Sequence, residues 1–181
     1  MKVKTEKFKE FIESIERQSI QLEQLHFKAN PNIEGKFSEP LVERKFEIDK
    51  IEIAEGEAIP SNNGEKLPFF RITYTGSHKD SITNIKDIEQ SEKTLLEVEF
   101  TYSILLVLSP ESSFNELDRK DKEEILNYFS ATTGKLMIFP YLRHLIHFLS
   151  TEAGLQLPPI NPLLVNPKSE TKNKADGSAE I

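Results

Sequence analysis

The segment Thr94-Leu-Leu-Glu-Val-Glu-Phe-Thr-Tyr-Ser-Ile-Leu-Leu-Val-Leu108 decides the fold class. Leu96, Val98, Phe100, Tyr102, Ile104, Leu106 and Leu108 recur at every second position, the period of a strand with one buried face. The opposite face opens with Glu97, Glu99 and Thr101 but closes with Leu105 and Val107. One end of this strand is therefore expected to be covered on both sides.

Three more strands precede it. Phe69 to Thr75 places Phe70, Ile72 and Tyr74 on one face. Gln18 to Asn30 and Lys45 to Ala54 also alternate, but each changes phase midway. In the first, Ile20 and Leu22 fall out of step with Leu25, Phe27 and Ala29. In the second, Phe46 and Ile48 fall out of step with Ile51 and Ile53. A shift of one residue is what a β-bulge produces. Pro31, Gly35 and Pro40 bound a loop that carries Ile33 and Phe37, and Asn62-Asn63-Gly64 marks a turn. The polar stretch His78 to Lys93 reads as a loop.

Helices flank the strands. Over residues 5–16, Phe8, Phe11, Ile12 and Ile15 form an amphipathic stripe with Thr5 as N-cap. After the fourth strand, Ser113-Phe-Asn-Glu116 reads as a capping box opening a helix to about Ser130, with Gly134 as its stop. A second helix is predicted from Pro140, at its first position, to Gly154. Leu142, Leu145, Ile146 and Leu149 make one apolar stripe of that helix, and Tyr141 and Phe148 make another. A helix apolar on two sides needs two neighbours, one of which can be a second subunit. The prolines of Leu155-Gln-Leu-Pro-Pro-Ile-Asn-Pro-Leu-Leu-Val-Asn-Pro167 predict an extended segment, and residues 168–181 a disordered tail. The organisation is thus an N-terminal helix in residues 1–17, one domain over 18–167, and the tail.

Composition removes several function classes. The chain has 181 residues, enough for one ordinary domain, and its net charge of −7 repels a nucleic-acid backbone on average. With no cysteine, thiolate catalysis, disulfides and Cys-based zinc sites are excluded. The start of the chain lacks a signal-peptide core, and no apolar run approaches a membrane span, so a cytoplasmic protein is expected. His144 and His147 share a helix face but have no third ligand of suitable spacing, and read as ordinary surface histidines. Neither a phosphate-binding glycine pattern nor a nucleophile elbow occurs, and Glu97 and Glu99 read as solvent-side strand residues rather than a catalytic pair. No enzyme and no cofactor are expected. The remaining signal is apolar side chains on loop segments: Ile33 and Phe37 early, Leu163, Leu164 and Val165 late. Together these residues suggest a groove.

The stretch Met137-Ile-Phe-Pro-Tyr-Leu-Arg-His-Leu-Ile-His-Phe-Leu-Ser150, followed by Leu155-Gln-Leu-Pro-Pro-Ile-Asn-Pro162, resembles the SecB export chaperones. The matching positions are Phe139, Pro140, Tyr141 and Arg143, then Leu155, Leu157, Pro159, Ile160 and Asn161. The order of elements agrees from about Ser19 to Asn166. The resemblance implies an α+β fold, a four-stranded antiparallel sheet with helices packed on one face. It implies a homotetramer, a dimer of dimers, with Tyr141, Leu142, Leu145, Phe148 and Leu149 at the interface. It also implies ATP-independent holding of unfolded clients, including preproteins, in an apolar groove. Ile33, Phe37, Leu41 and Phe46 would wall that groove on one side, and Leu163, Leu164 and Val165 on the other.

In the export proteins an acidic patch on the first strand docks the translocase motor. Gln24 and Lys28 occupy the matching positions here, leaving Glu97 and Glu99 as the acidic docking residues. The final long helix of that family is absent, and the N-terminal helix is extra. SecB-like chaperones of toxin–antitoxin systems offer a second reading, with an antitoxin as partner. A small-molecule-binding α+β domain is the third, and would require a closed pocket with convergent polar groups.

Overall fold

The computed structural model describes residues 5–30, 42–58, 66–83 and 92–160. In chain order it contains helix α1 (Thr5–Glu13) and strands β1 (Ile15–Ala29), β2 (Val42–Ala58), β3 (Leu67–Thr83) and β4 (Glu92–Leu108). A 3-10 turn (Ser113–Glu116), helix α2 (Arg119–Phe129), a π-turn (Ser130–Gly134) and helix α3 (Lys135–Glu152) follow. The strands form one antiparallel sheet in the order β1-β4-β3-β2, so β1 and β2 are its edges. The fold is α+β, with the helices against one face. The predicted turn at Asn62–Gly64 and the tail from Lys168 lie outside the described residues.

Both phase changes are bulges on edge strands. In β1 the register skips Glu23: Ile20 stands opposite Ile104 and Leu22 opposite Tyr102, then Leu25 opposite Phe100 and Phe27 opposite Val98. In β2 it skips Asp49: Ile48 faces Gly76, then Ile51 faces Tyr74 and Ile53 faces Ile72. Directly paired residues share a sheet face, so each extra residue brings two out-of-step apolar sets onto the helix side. The alternating side chains of β4 from Leu96 to Leu108 are buried there.

The core has two centres. Near α1 and α2, Phe11 is fully buried, its ring 4.7 Å from Phe114 and 5.6 Å from Phe129 in an edge contact. Phe8 meets Tyr128 edge-on at 4.9 Å, and an ion pair of Lys7 with Asp121 closes the rim. The other centre joins Leu95, Leu96 and Val98 to Ile146 and Leu149 of α3 and to Leu155 and Leu157. At the far end of β4, Leu105 and Val107 are half-buried on the outer face, and among the described residues no helix covers that side.

Two expectations change. The stretch His78 to Lys93 is not a loop throughout: β3 continues to Thr83 and β4 starts at Glu92. His78 and Asp80 point inward and are buried. This is tolerated because Arg44 of β2 brings its Nε within 3.1 Å of Asp80, while His78 Nε2 lies 3.0 Å from the other carboxylate oxygen. These nitrogens sit off the hydrogen-bond directions, so Asp80 is held by proximity to charge rather than by directed bonds.

The helices also differ from expectation. Ser112, not Ser113, caps the 3-10 turn, and α2 starts later, with Asp118 accepting from the Asp121 amide at 2.8 Å. Gly134 does not stop a helix, and Pro140 does not start one. The π-turn carries the helical chain through Gly134 into α3, which contains Pro140. Gly134 has helical angles (φ −61°, ψ −42°), and an added Cβ would lie 1.9 Å from the Tyr74 hydroxyl oxygen. Its role is close approach: Tyr74 Oη donates to the Ser130 carbonyl at 3.0 Å, within the widened turn. Pro140 sits on the exposed side of α3, where the turn that loses its amide bond, at Leu136, faces solvent.

Candidate functional site

α3 ends as predicted. Gly154 is left-handed (φ 73°), its amide bonds the Thr151 carbonyl at 2.9 Å, and the Leu155 amide bonds that of Ser150 at 2.8 Å. This Schellman arrangement turns the chain back along the helix. Leu155 and Leu157, two apart on an extended segment, then both point into the core. Pro158 and Pro159 keep the segment extended, and Arg44 donates to the Pro158 carbonyl. Arg44 thereby ties this strap to Asp80 on the sheet.

Between the strap and α3 lies an open groove of about 450 Å³. Phe139, Pro140, Pro159 and Ile160 supply its apolar lining, and Arg143, His144 and His147 its polar lining. Phe139 meets Phe46 edge-on at 6.3 Å, and Phe46 stacks on Phe100 at 5.8 Å. The groove wall is thus continuous with the core through an aromatic chain. A second groove, of about 660 Å³, lies between edge strand β2 and α2. Ile51, Ile53, Phe70 and Leu126 make its floor, and Glu55, Arg119, Lys122 and Glu123 its charged lining, with Arg119 paired to Glu123 at 2.8 Å.

Of the groove residues expected from the sequence, Phe46 is half-buried beside the first groove. Ile33, Phe37, Leu41, Leu163, Leu164 and Val165 lie outside the described residues. Phe139, Pro140, Arg143, Pro159 and Ile160, quoted above only for resemblance, line the groove itself.

Among the expected interface residues, Leu142 and Leu149 are buried in the protomer's own core and Leu145 is half-buried. Only Tyr141 and Phe148, each about half exposed at 51% and 52%, present the helix's second apolar stripe to solvent. Leu22 and Phe27 on edge strand β1 are also exposed on the helix side of the sheet.

Glu97 and Glu99 are exposed on the opposite, outer face. Glu97 stands in register between Lys28 of β1 and Lys79 of β3, and Lys79 is opposite Lys45; Glu99 stands between His26 and Ser77. The acidic pair therefore sits beside a lysine row. Further along this face the bulged Glu23 reaches Arg71 as an ion pair across Ser103. The Ser103 hydroxyl chiefly, against an opposing desolvation, and Arg71 after it hold the Glu23 carboxyl below its ordinary 4.5. Nothing in the local sequence pattern flags this contact. Among the described residues no group of three or more His, Asp or Glu side chains is placed to hold a metal, and no helix is long and apolar enough to cross a membrane.

No protein-family model and no curated protein sequence matches the chain. Among solved structures, the SecB-like chaperone of Mycobacterium tuberculosis, in complex with a ChAD peptide from an antitoxin, aligns with a TM-score of 0.52. The identity is 14%, and the alignment covers 86% of this chain and 94% of that one. The chain has a SecB-like fold.

Proposed function

We propose that this protein is a chaperone that holds unfolded polypeptides in apolar grooves, without ATP and without catalysing a reaction. The carrying observation is the pair of open grooves, one joined to the core through Phe139 and Phe46, the other beside edge strand β2, whose outer side carries no further strand among the described residues. An unfolded segment offers apolar side chains and free backbone groups; the groove lining takes the first and the strand edge the second. The grooves are open rather than closed around convergent polar groups, which weighs against a small-molecule site.

Two partner readings remain within this class. The structural neighbour holds an antitoxin peptide, which favours a chaperone serving an antitoxin. The lysines flanking Glu97 dilute an acidic docking patch at Glu97 and Glu99, which weighs against an export motor as partner and hence against preprotein delivery. We also propose a cytoplasmic homotetramer, with Tyr141 and Phe148 covered by a second copy.

Adding the protein to a slowly refolding substrate, with no nucleotide present, is expected to delay refolding and suppress aggregation. Unchanged curves at equimolar tetramer would reject the chaperone reading. Co-purification with a neighbouring antitoxin, against a mixture of preproteins, separates the two partner classes.

A further inference from the structure

The chain as a whole is acidic, with 30 Asp and Glu against 23 Lys and Arg. The groove between α3 and the strap departs from that balance: among the described residues no carboxylate lines it, while Arg143, His144 and His147 do. Pro140, Arg143, His144 and His147 recur at i, i+3, i+4 and i+7, so they form one stripe along the groove side of α3. Arg143 is exposed, and no ion pair engages it among the described residues. Arg44 lies nearby, but its charge is already answered by Asp80.

We infer that this groove selects client segments in which an aromatic or aliphatic residue is flanked by Asp or Glu. The inference rests on the chaperone reading and adds a partner chemistry to it. Phe139, Pro140 and Ile160 receive the apolar side chain, and Arg143, with the imidazole rings of His144 and His147 beside it as hydrogen-bonding groups, receives the flanking carboxylate. Basic segments are drawn by the net charge of the whole protein; acidic ones are repelled by it and need this local exception to be admitted.

The test uses the full-length protein and two fluorescein-labelled peptides with the same Phe-Leu-Tyr centre, flanked by Asp and Glu in one and by Lys in the other. Fluorescence anisotropy at low salt is expected to show the acidic peptide binding roughly fivefold tighter, as for rim charge pairs. The difference should vanish near ~1 M salt, where the screening length falls to about 3 Å. Arg143→Glu should invert the preference with an unchanged circular dichroism spectrum, since Arg143 is exposed.

Equal binding of the two peptides, tighter binding of the basic one, or a ratio unmoved by Arg143→Glu overturns the inference and leaves the chaperone reading standing. Deletion of residues 161–181 that raises both affinities alike also overturns it, because the chain's own C-terminal segment is then the occupant. Binding of neither peptide overturns both readings.

Discussion

Gly134→Ala separates two accounts of the same glycine. By helix propensity alone, alanine at a helical position should stabilise the protein by about 1 kcal/mol. The packing predicts the opposite. The new Cβ would lie 1.9 Å from the Tyr74 hydroxyl oxygen and 3.1 Å from the ring carbon bearing it. Tyr74 is fully buried and cannot swing into solvent, so the helix or the ring must shift. Overpacking of this kind costs about 1–3 kcal/mol, and displacing the hydroxyl from the Ser130 carbonyl costs about 1 kcal/mol more. Subtracting the propensity gain leaves a net loss of about 2 kcal/mol. Urea denaturation followed by circular dichroism at fixed protein concentration measures it. Tyr74→Phe alone should cost about 1 kcal/mol, and adding Gly134→Ala to it should cost little further, giving a coupling of about 2 kcal/mol. A Gly134→Ala variant as stable as the parent, or a coupling below about 0.5 kcal/mol, would refute the close-approach argument.

Asp80→Ala should destabilise the protomer by about 3 kcal/mol in the same assay, because it strips the counter-charge from the largely buried Arg44 and leaves His78 without its polar neighbour. Tyr141→Glu with Phe148→Glu should split the oligomer in light scattering while leaving protomer stability nearly unchanged, whereas Leu149→Glu should unfold the chain, since it buries a charge in the core. Because the folded-state Glu23 carboxyl sits below its ordinary 4.5, its contribution is fully present above that range and is lost as pH falls through the folded value. The stability difference between parent and Glu23→Gln should therefore be constant above about pH 5.5 and close on acidification, and a difference that widens below pH 4 would contradict the Ser103–Arg71 account.

The strands were legible wherever one periodicity held. Leu96 to Leu108 reads directly as a strand, and the broken alternation around Glu23 and Asp49 announced both bulges, because a frame shift of one residue leaves a mark in the pattern. Gly154 was legible as a stop for a local reason, its left-handed backbone. The polar half of β3 was not, since Asp80 is made burial-tolerant by Arg44, thirty-six positions upstream, beyond any local window. The run of helix through Gly134 and Pro140 was hidden for a similar reason: the glycine answers to Tyr74 on a distant strand, and the proline is placed where its missing bond faces solvent. For the site, the motif residues Phe139, Pro140 and Arg143 were visible as a pattern, but their convergence with Pro159 and Ile160 depends on the reversal at Gly154.

The bulges bear on how this fold can vary between genes. In β1, Leu22 pairs with Tyr102 and Gln24 with Thr101, so deleting Glu23 would heal the ladder and leave every other side chain on its present face. Removing Asp49 would do the same in β2, between the pairs Ile48–Gly76 and Lys50–Thr75. Deleting a neighbour such as Ile20 or Ile53 would instead displace a core residue from its pair. Single-residue gaps are therefore neutral to the core at such bulged positions of the edge strands, Glu16 of β1 being a third, and costly beside them. Two chains with the same sheet can drift one letter out of step at each such point, losing positional correspondence while every core contact survives.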